Sequence, residues 1–204
     1  MMREDIAGCR GDGVIWTGRT YLDLNQPDPS KIHLGDIAVA LSRLHRFGGR
    51  TIRPYTVAEH SVWVMQKVRA DLKRQWQKDD GAKPLKTPDP FPAMRVALLH
   101  DAAEAYVGDM VRPLRQMLPD FHGIEKRVRD AIFQRFGVAH ADTYADLVQR
   151  ADNVALATEV RDICWVHEPW PDLPSPDPET ILPLESVKAA EALFLEQANM
   201  LGFG

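Results

Sequence analysis

Three apolar helical stripes in this chain each carry a titratable side chain, and that misfit restricts the fold more than any other feature. In ALLHDAAEAY, residues 97–106, His100, Asp101 and Glu104 interrupt a run of Ala and Leu. Residues three and four apart share a helix face, so Glu104 lies on the side of both His100 and Asp101. Val96, Ala97 and Ala103 flank that side, which makes it an interior one. His60 lies three residues after Val57 and four before Val64, on the stripe of its own segment. Asp152 lies four after Val148 and four before Leu156, again on the stripe. An unpaired buried carboxylate costs several kcal/mol, so a chain that buries these faces must bring the charged groups together.

Each residue alone has an ordinary reading. A single histidine on an apolar face is more often a hydrogen-bonded core residue than a ligand. Asp152 could pair with Arg150 or Arg161. Taken together, His60, His100, Asp101 and Asp152 would satisfy one another by sharing one divalent cation. Two imidazoles and two carboxylates suit Mn²⁺, Co²⁺, Fe²⁺ or Zn²⁺, with Mg²⁺ also admitted. Four protein ligands in an octahedral sphere leave room for water and a substrate oxygen, the arrangement of a hydrolytic centre.

The rest of the chain predicts an all-α domain of six or seven helices behind a small N-terminal β-hairpin. Helical spacing runs over 33–47, 56–79, 93–107, 111–118, 121–136, 142–165 and 184–201. Gly48 and Gly49 are expected to end the first of these, and Gly108 the third. Thr56 followed by Glu59 is a capping-box pattern that starts the second. VIWTGRTYLDL, residues 14–24, is short, β-prone and broken by Gly18, as in a hairpin in which Trp16 and Tyr21 pack. Residues 1–30 read as hairpin and loop, and the proline-rich stretches 79–91 and 168–184 as surface loops within a single domain, 1–204.

Composition excludes several classes. With a net charge of −4 the chain lacks the basic surface of a nucleic-acid polymer binder. No segment approaches the roughly 18 apolar residues of a membrane span, and the N-terminus has no secretory pattern. The two cysteines, Cys9 and Cys164, imply no disulfide framework, so a cytoplasmic location is expected.

VAEHS, then LLHDAAEAYVGDMVRPLR, then RADNVALATEV resemble the HD-domain metal-dependent phosphohydrolases. The nearest branches are the bacterial 5'-deoxynucleotidases and the phage enzymes acting on deoxynucleotides, and YLDLNQPDPSKIHLGDIAVALSRLHRFGG is similar to the N-terminal region of the latter. The resemblance implies a helical HD bundle, a nucleotide substrate, and His60, His100, Asp101 and Asp152 as ligands of one metal. It implies that Glu104 handles a proton, that Asp109 reads a sugar hydroxyl, and that Arg46 and Phe47 lie near phosphate and nucleoside. Phe47 stands where deoxynucleotidases commonly have tryptophan. Relatives with a second metal use further histidines; His122 and His140 lie in that interval and read as surface residues. The activity implied is hydrolysis of (deoxy)nucleoside 5'-monophosphates. The alternatives are a (d)NTP phosphohydrolase or triphosphohydrolase, or a non-catalytic nucleotide-binding regulatory module. The resemblance also admits a homodimer.

Overall fold

A computed structural model of the chain describes residues 13–78, 89–165 and 170–203. The expected hairpin forms from β1 (Val14–Trp16) and β2 (Tyr21–Asp23), antiparallel with Ile15 opposite Leu22. The Trp16 and Tyr21 rings lie 5.0 Å apart, a cross-strand pair that helps hold so short a ribbon. Eight helices follow among the described residues: α1 (Leu34–Leu41), α2 (Val57–Lys78), α3 (Phe91–Leu98), α4 (Glu104–Val107), α5 (Arg112–Gln116), α6 (Pro119–Arg135), α7 (Ala141–Ile163) and α8 (Val187–Met200). These are the seven expected segments with one of them broken in two. Among the described residues no helix is long and apolar enough to cross a membrane.

Helix α2 is the axle of the bundle and packs against α3, α7 and α8. Its stripe of Val57, Val64, Met65 and Val68 is buried as the spacing requires. Each such side chain contributes about 1.5–3 kcal/mol on leaving water. The first turns of α2 are buried all round, His60 and Ser61 included. A histidine there cannot escape to solvent and must find partners inside.

The start of α2 follows the capping box. Glu59 Oε2 accepts from the Thr56 amide at 2.9 Å and from its hydroxyl at 2.7 Å, while the Glu59 amide donates to Thr56 Oγ1 at 3.3 Å. The other carboxylate oxygen accepts from the Leu184 amide at 2.6 Å, tying the chain before α8 to the head of α2. Glu59→Ala therefore removes a cap and orphans a distant amide. The expected loss is about 1–3 kcal/mol, read as a melting temperature lowered by roughly 3–10 °C in thermal unfolding. An unchanged melting temperature would mean that water replaces the carboxylate at no cost.

Two helices end earlier than their spacing predicts. The expected helix over 33–47 stops at Leu41, because side chains take the carbonyl that would continue it. Ser42 Oγ and Arg43 Nη1 both donate to the Val39 oxygen, at 3.0 and 2.6 Å. The chain then runs beside the head of α2, with the Arg46 amide donating to the Tyr55 carbonyl at 3.0 Å and the Val57 amide to Leu44. The expected helix over 93–107 is interrupted at residues 99–103, where the bonds shorten to the three-residue spacing, as from the Glu104 amide to the Asp101 carbonyl. His100 Nδ1 sits 2.7 Å from the Ala97 carbonyl and occupies the acceptor a continuous helix would offer to the Asp101 amide.

The proline-rich segment is more than a surface loop where it is described. The Ile181 and Asp177 amides donate to Asp162 and Thr158 on α7 at 2.8 and 2.9 Å, and Ile181 is buried against Tyr55, Ile163 and Cys164. Residues 1–12 of the expected hairpin-and-loop region, 79–88 of the first proline-rich stretch, and 166–167 with the first two residues of the second, 168–169, lie outside the described residues.

Candidate metal centre

Three elements meet at one point. The first turn of α2 supplies His60, the turn between α3 and α4 supplies His100 and Asp101, and the middle of α7 supplies Asp152. Asp101 and His100 thus stand on an interrupted helix, where the sequence predicts a continuous one. His60, His100 and Asp101 offer donor atoms that all lie within 4.8 Å of one another, and the group can hold a metal ion. Asp101 Oδ2 is 3.2 Å from His100 Nε2 and 3.4 Å from His60 Nε2. Asp152 Oδ1 lies 3.2 Å from His60 Nε2, and its other oxygen accepts from Gln149 at 3.0 Å. Of the two arginines that could pair with Asp152 in an ordinary reading, Arg150 and Arg161, Arg161 instead pairs with Asp162, and no ion pair joins Arg150 to Asp152 among the described residues. His122 and His140 are exposed.

The tautomers are dictated by what the other ring nitrogens face. His60 Nδ1 is 2.7 Å from Glu159 Oε1, and both side chains are fully buried. His100 Nδ1 is 2.7 Å from the Ala97 carbonyl oxygen. A carboxylate and a carbonyl oxygen only accept, so each Nδ1 carries a proton. Each Nε2 is then free to present a lone pair toward Asp101. Both Nε2 atoms are buried and have no hydrogen-bond partner. Two orphaned imidazole nitrogens converging on a carboxylate fit a cation, and a carboxylate behind a histidine is the usual support of a metal ligand.

The electrostatics agree with the donor set. Burial opposes ionisation of Asp101, but His100 and His60 hold its carboxyl well below the ordinary range. Burial and the Arg46 charge oppose protonation of His60, yet Glu159, Asp101 and Asp152 carry its pKa well above the ordinary histidine value. The pocket asks for positive charge at this spot, which a proton or a metal ion can meet.

Glu104 opens α4 beside the group and is buried, and its Oε2 has no hydrogen-bond partner. Burial, and then the charge of Asp101, push its carboxyl well above the usual range. Arg46 is held on Glu159 Oε2 by its Nε and Nη2, both at 2.9 Å, with Nη1 3.9 Å from Asp101 Oδ2. Phe47 follows in the left-handed region at φ 57°, a conformation that costs a side-chain-bearing residue of order 1–3 kcal/mol and that clusters at functional sites.

Arg46, Phe47, Asp101, Glu104, Asp109 and Asp152 share the wall of a cavity of about 460 Å³, within the range of small-molecule sites. Trp170 and Leu173 of the proline-rich segment complete it, with the Trp170 ring edge-on to Phe47 at 6.0 Å. A second cavity of about 370 Å³ meets the first at Asp101, Arg115 and Asp152, and is lined further by His100, Lys126 and Arg129.

Sequence reasoning missed Glu159 and Trp170. Glu159 was findable: it lies seven residues, two helical turns, after Asp152 on the same face of α7. Trp170 sits in irregular chain with no periodicity to place it.

The chain is 31% identical over 185 residues to the uncharacterized protein YfdR of Escherichia coli, covering 89% of each. It is 28% identical over 167 residues to an uncharacterized protein of Rhodobacter capsulatus, covering 77% of this chain and 76% of the other. No family model matches the chain.

Proposed function

We propose, for a chain that belongs to the same family as YfdR of Escherichia coli, the function of an HD-type metal-dependent phosphohydrolase acting on nucleotides, most simply (deoxy)nucleoside 5'-monophosphates. One observation carries the reading. The two bare imidazole nitrogens and Asp101 converge at the wall of a cavity that also holds an unpartnered buried carboxyl and an aromatic pair. Without a reaction to run, each of those groups is a cost to the fold.

A divalent ion held by His60, His100, Asp101 and Asp152 would supply Lewis-acid polarisation of a phosphoryl oxygen and activation of water. The protein's own groups do the rest. Phe47 and Trp170 form an apolar, aromatic wall suited to a base and sugar. Asp109 lines the same cavity and can accept from a sugar hydroxyl. Burial and the neighbouring Asp101 charge raise the pKa of Glu104, which favours the protonated carboxyl that can deliver a proton to the departing 5'-oxygen. The oxygen of water joins phosphorus, the bond from phosphorus to the 5'-oxygen breaks, and nucleoside and inorganic phosphate result. His60 and Glu104 are buried beside this cavity, where fixed charges act more strongly than in water.

The second cavity favours a second reading. Arg129 faces it without a hydrogen bond or ion pair among the described residues, which suits a longer phosphate chain and hence a (d)NTP substrate. A phosphate-release panel of mono-, di- and triphosphates, ribo and deoxy, with Mn²⁺, Co²⁺, Zn²⁺ and Mg²⁺ tests both. Release of phosphate from monophosphates supports the first reading, and tripolyphosphate from triphosphates the second. Metal binding with no turnover of any nucleotide would leave a regulatory binding module instead.

A further inference from the structure

Arg46 is more tightly committed than a phosphate contact would be. Its Nε donates to Glu159 Oε2 at 2.9 Å, its Nη2 stands in ion-pair contact with the same oxygen at 2.9 Å, and Glu159 is fully buried. The other oxygen of the same carboxylate accepts from His60 Nδ1 at 2.7 Å. One carboxylate therefore bridges a guanidinium and a metal-centre imidazole, and Glu159 lies far in sequence from both Arg46 and His60. Arg46 is pinned by its backbone too, since its amide donates to the Tyr55 carbonyl at 3.0 Å, two residues before α2 begins. Adjacent to it, His45 pairs with Thr56 in an isolated bridge. The guanidinium is largely buried, and the one nitrogen not spent on Glu159, Nη1, points past Asp101 Oδ2 at 3.9 Å.

We infer that Arg46 is a positioning residue of the metal centre: through Glu159 it fixes the His60 ring so that Nε2 faces Asp101, before any nucleotide arrives. The inference rests on the reading of His60 as a metal ligand and deepens it. The physical reason is direct. A buried carboxylate left with one partner would shift toward any other donor, whereas the charged guanidinium on Oε2 and the imidazole on Oε1 together leave Glu159 a single orientation. That orientation sets which nitrogen of His60 is protonated and where the ring points. Supports of this kind are typically worth 10–100-fold in metal affinity. A residue that only bound phosphate would change the apparent affinity for nucleotide and leave the nucleotide-free metal site untouched.

The test is a metal titration without nucleotide. Mn²⁺ and Zn²⁺ affinities are measured by competition with a chromophoric chelator for the unsubstituted protein, Arg46→Lys, and the paired Arg46→Met, Glu159→Met variant. The paired variant avoids a stranded buried carboxylate, and thermal unfolding confirms that each protein is folded. The expected result is a roughly 10–100-fold weaker metal affinity in the folded variants. Affinities equal to that of the unsubstituted protein would overturn the inference. A second readout needs no variant at Arg46. In the Zn²⁺-loaded protein with ¹⁵N-labelled histidine, the His60 signals, assigned by their loss in His60→Ala, should show a protonated Nδ1 and a ligated Nε2. Ligation through Nδ1 would equally overturn it. If the unsubstituted protein binds no divalent ion, the metal reading falls and takes this inference along. If it binds metal as expected but turns over no nucleotide, the phosphohydrolase reading fails while the role of Arg46 stands.

Discussion

On the proposed phosphohydrolase function, Asp101→Ala is expected to abolish phosphate release from nucleotides and, with it, tight metal binding. Asp101 Oδ2 is where the centre meets: it is 3.2 Å from His100 Nε2, 3.4 Å from His60 Nε2 and 3.9 Å from Arg46 Nη1. Removing it leaves two imidazole nitrogens facing each other with no anion between their ring centroids, 5.3 Å apart. Transition-state charge stabilisation by a bound ion is worth several kcal/mol, and each 1.36 kcal/mol is tenfold in rate, so a fall of about 10³-fold or more is expected. Asp101→Asn is the companion variant, since it keeps the shape and removes only the charge. Both should fail in phosphate release and in metal titration while retaining a cooperative thermal transition. Turnover by Asp101→Ala equal to that of the unsubstituted protein would remove the metal from the mechanism altogether.

The apolar periodicity made the bundle legible, because α2, α3, α7 and α8 bury the stripes that the spacing of Val, Leu and Ala defines. The Thr56–Glu59 cap was legible for the same local reason. The convergence of His60, His100, Asp101 and Asp152 followed from a global argument, that charges on interior stripes need one another. The breaks after Leu41 and Leu98 were not legible, since both are made by side chains competing for a carbonyl that periodicity assigns to the backbone. Those breaks matter for the site. The first delivers Arg46 to Glu159, and the second turns His100 and Asp101 toward His60. Phe47 in the left-handed region has no sequence signal of its own, although the glycines after it, Gly48 at φ 59° and Gly49 at φ 75°, mark a chain reversal. Trp170 joins the cavity only because the segment after it is strapped to α7 by Asp162 and Thr158, bonds between residues about nineteen apart that no periodic pattern encodes.

Glu104→Gln separates chemistry from binding. The carboxyl is next to the metal group but its Oε2 contacts no donor, so an amide of the same shape fits without breaking a hydrogen bond. Metal affinity should stay near that of the unsubstituted protein, while the rate of phosphate release falls about 10²- to 10⁴-fold, the usual worth of a positioned acid or base. The pH dependence fixes which of the two it is. Burial, then Asp101, raises the pKa of Glu104, so its protonated form persists above the ordinary carboxylate range. A general acid is active while protonated, so the rate should fall as pH rises through that raised pKa, and Glu104→Gln should lose this limb. A rate that instead rises over the same limb would make Glu104 a base that takes the proton from attacking water. If Glu104→Gln turns over as fast as the unsubstituted protein, the buried carboxyl has no part in proton transfer, and the departing oxygen must be protonated from solvent.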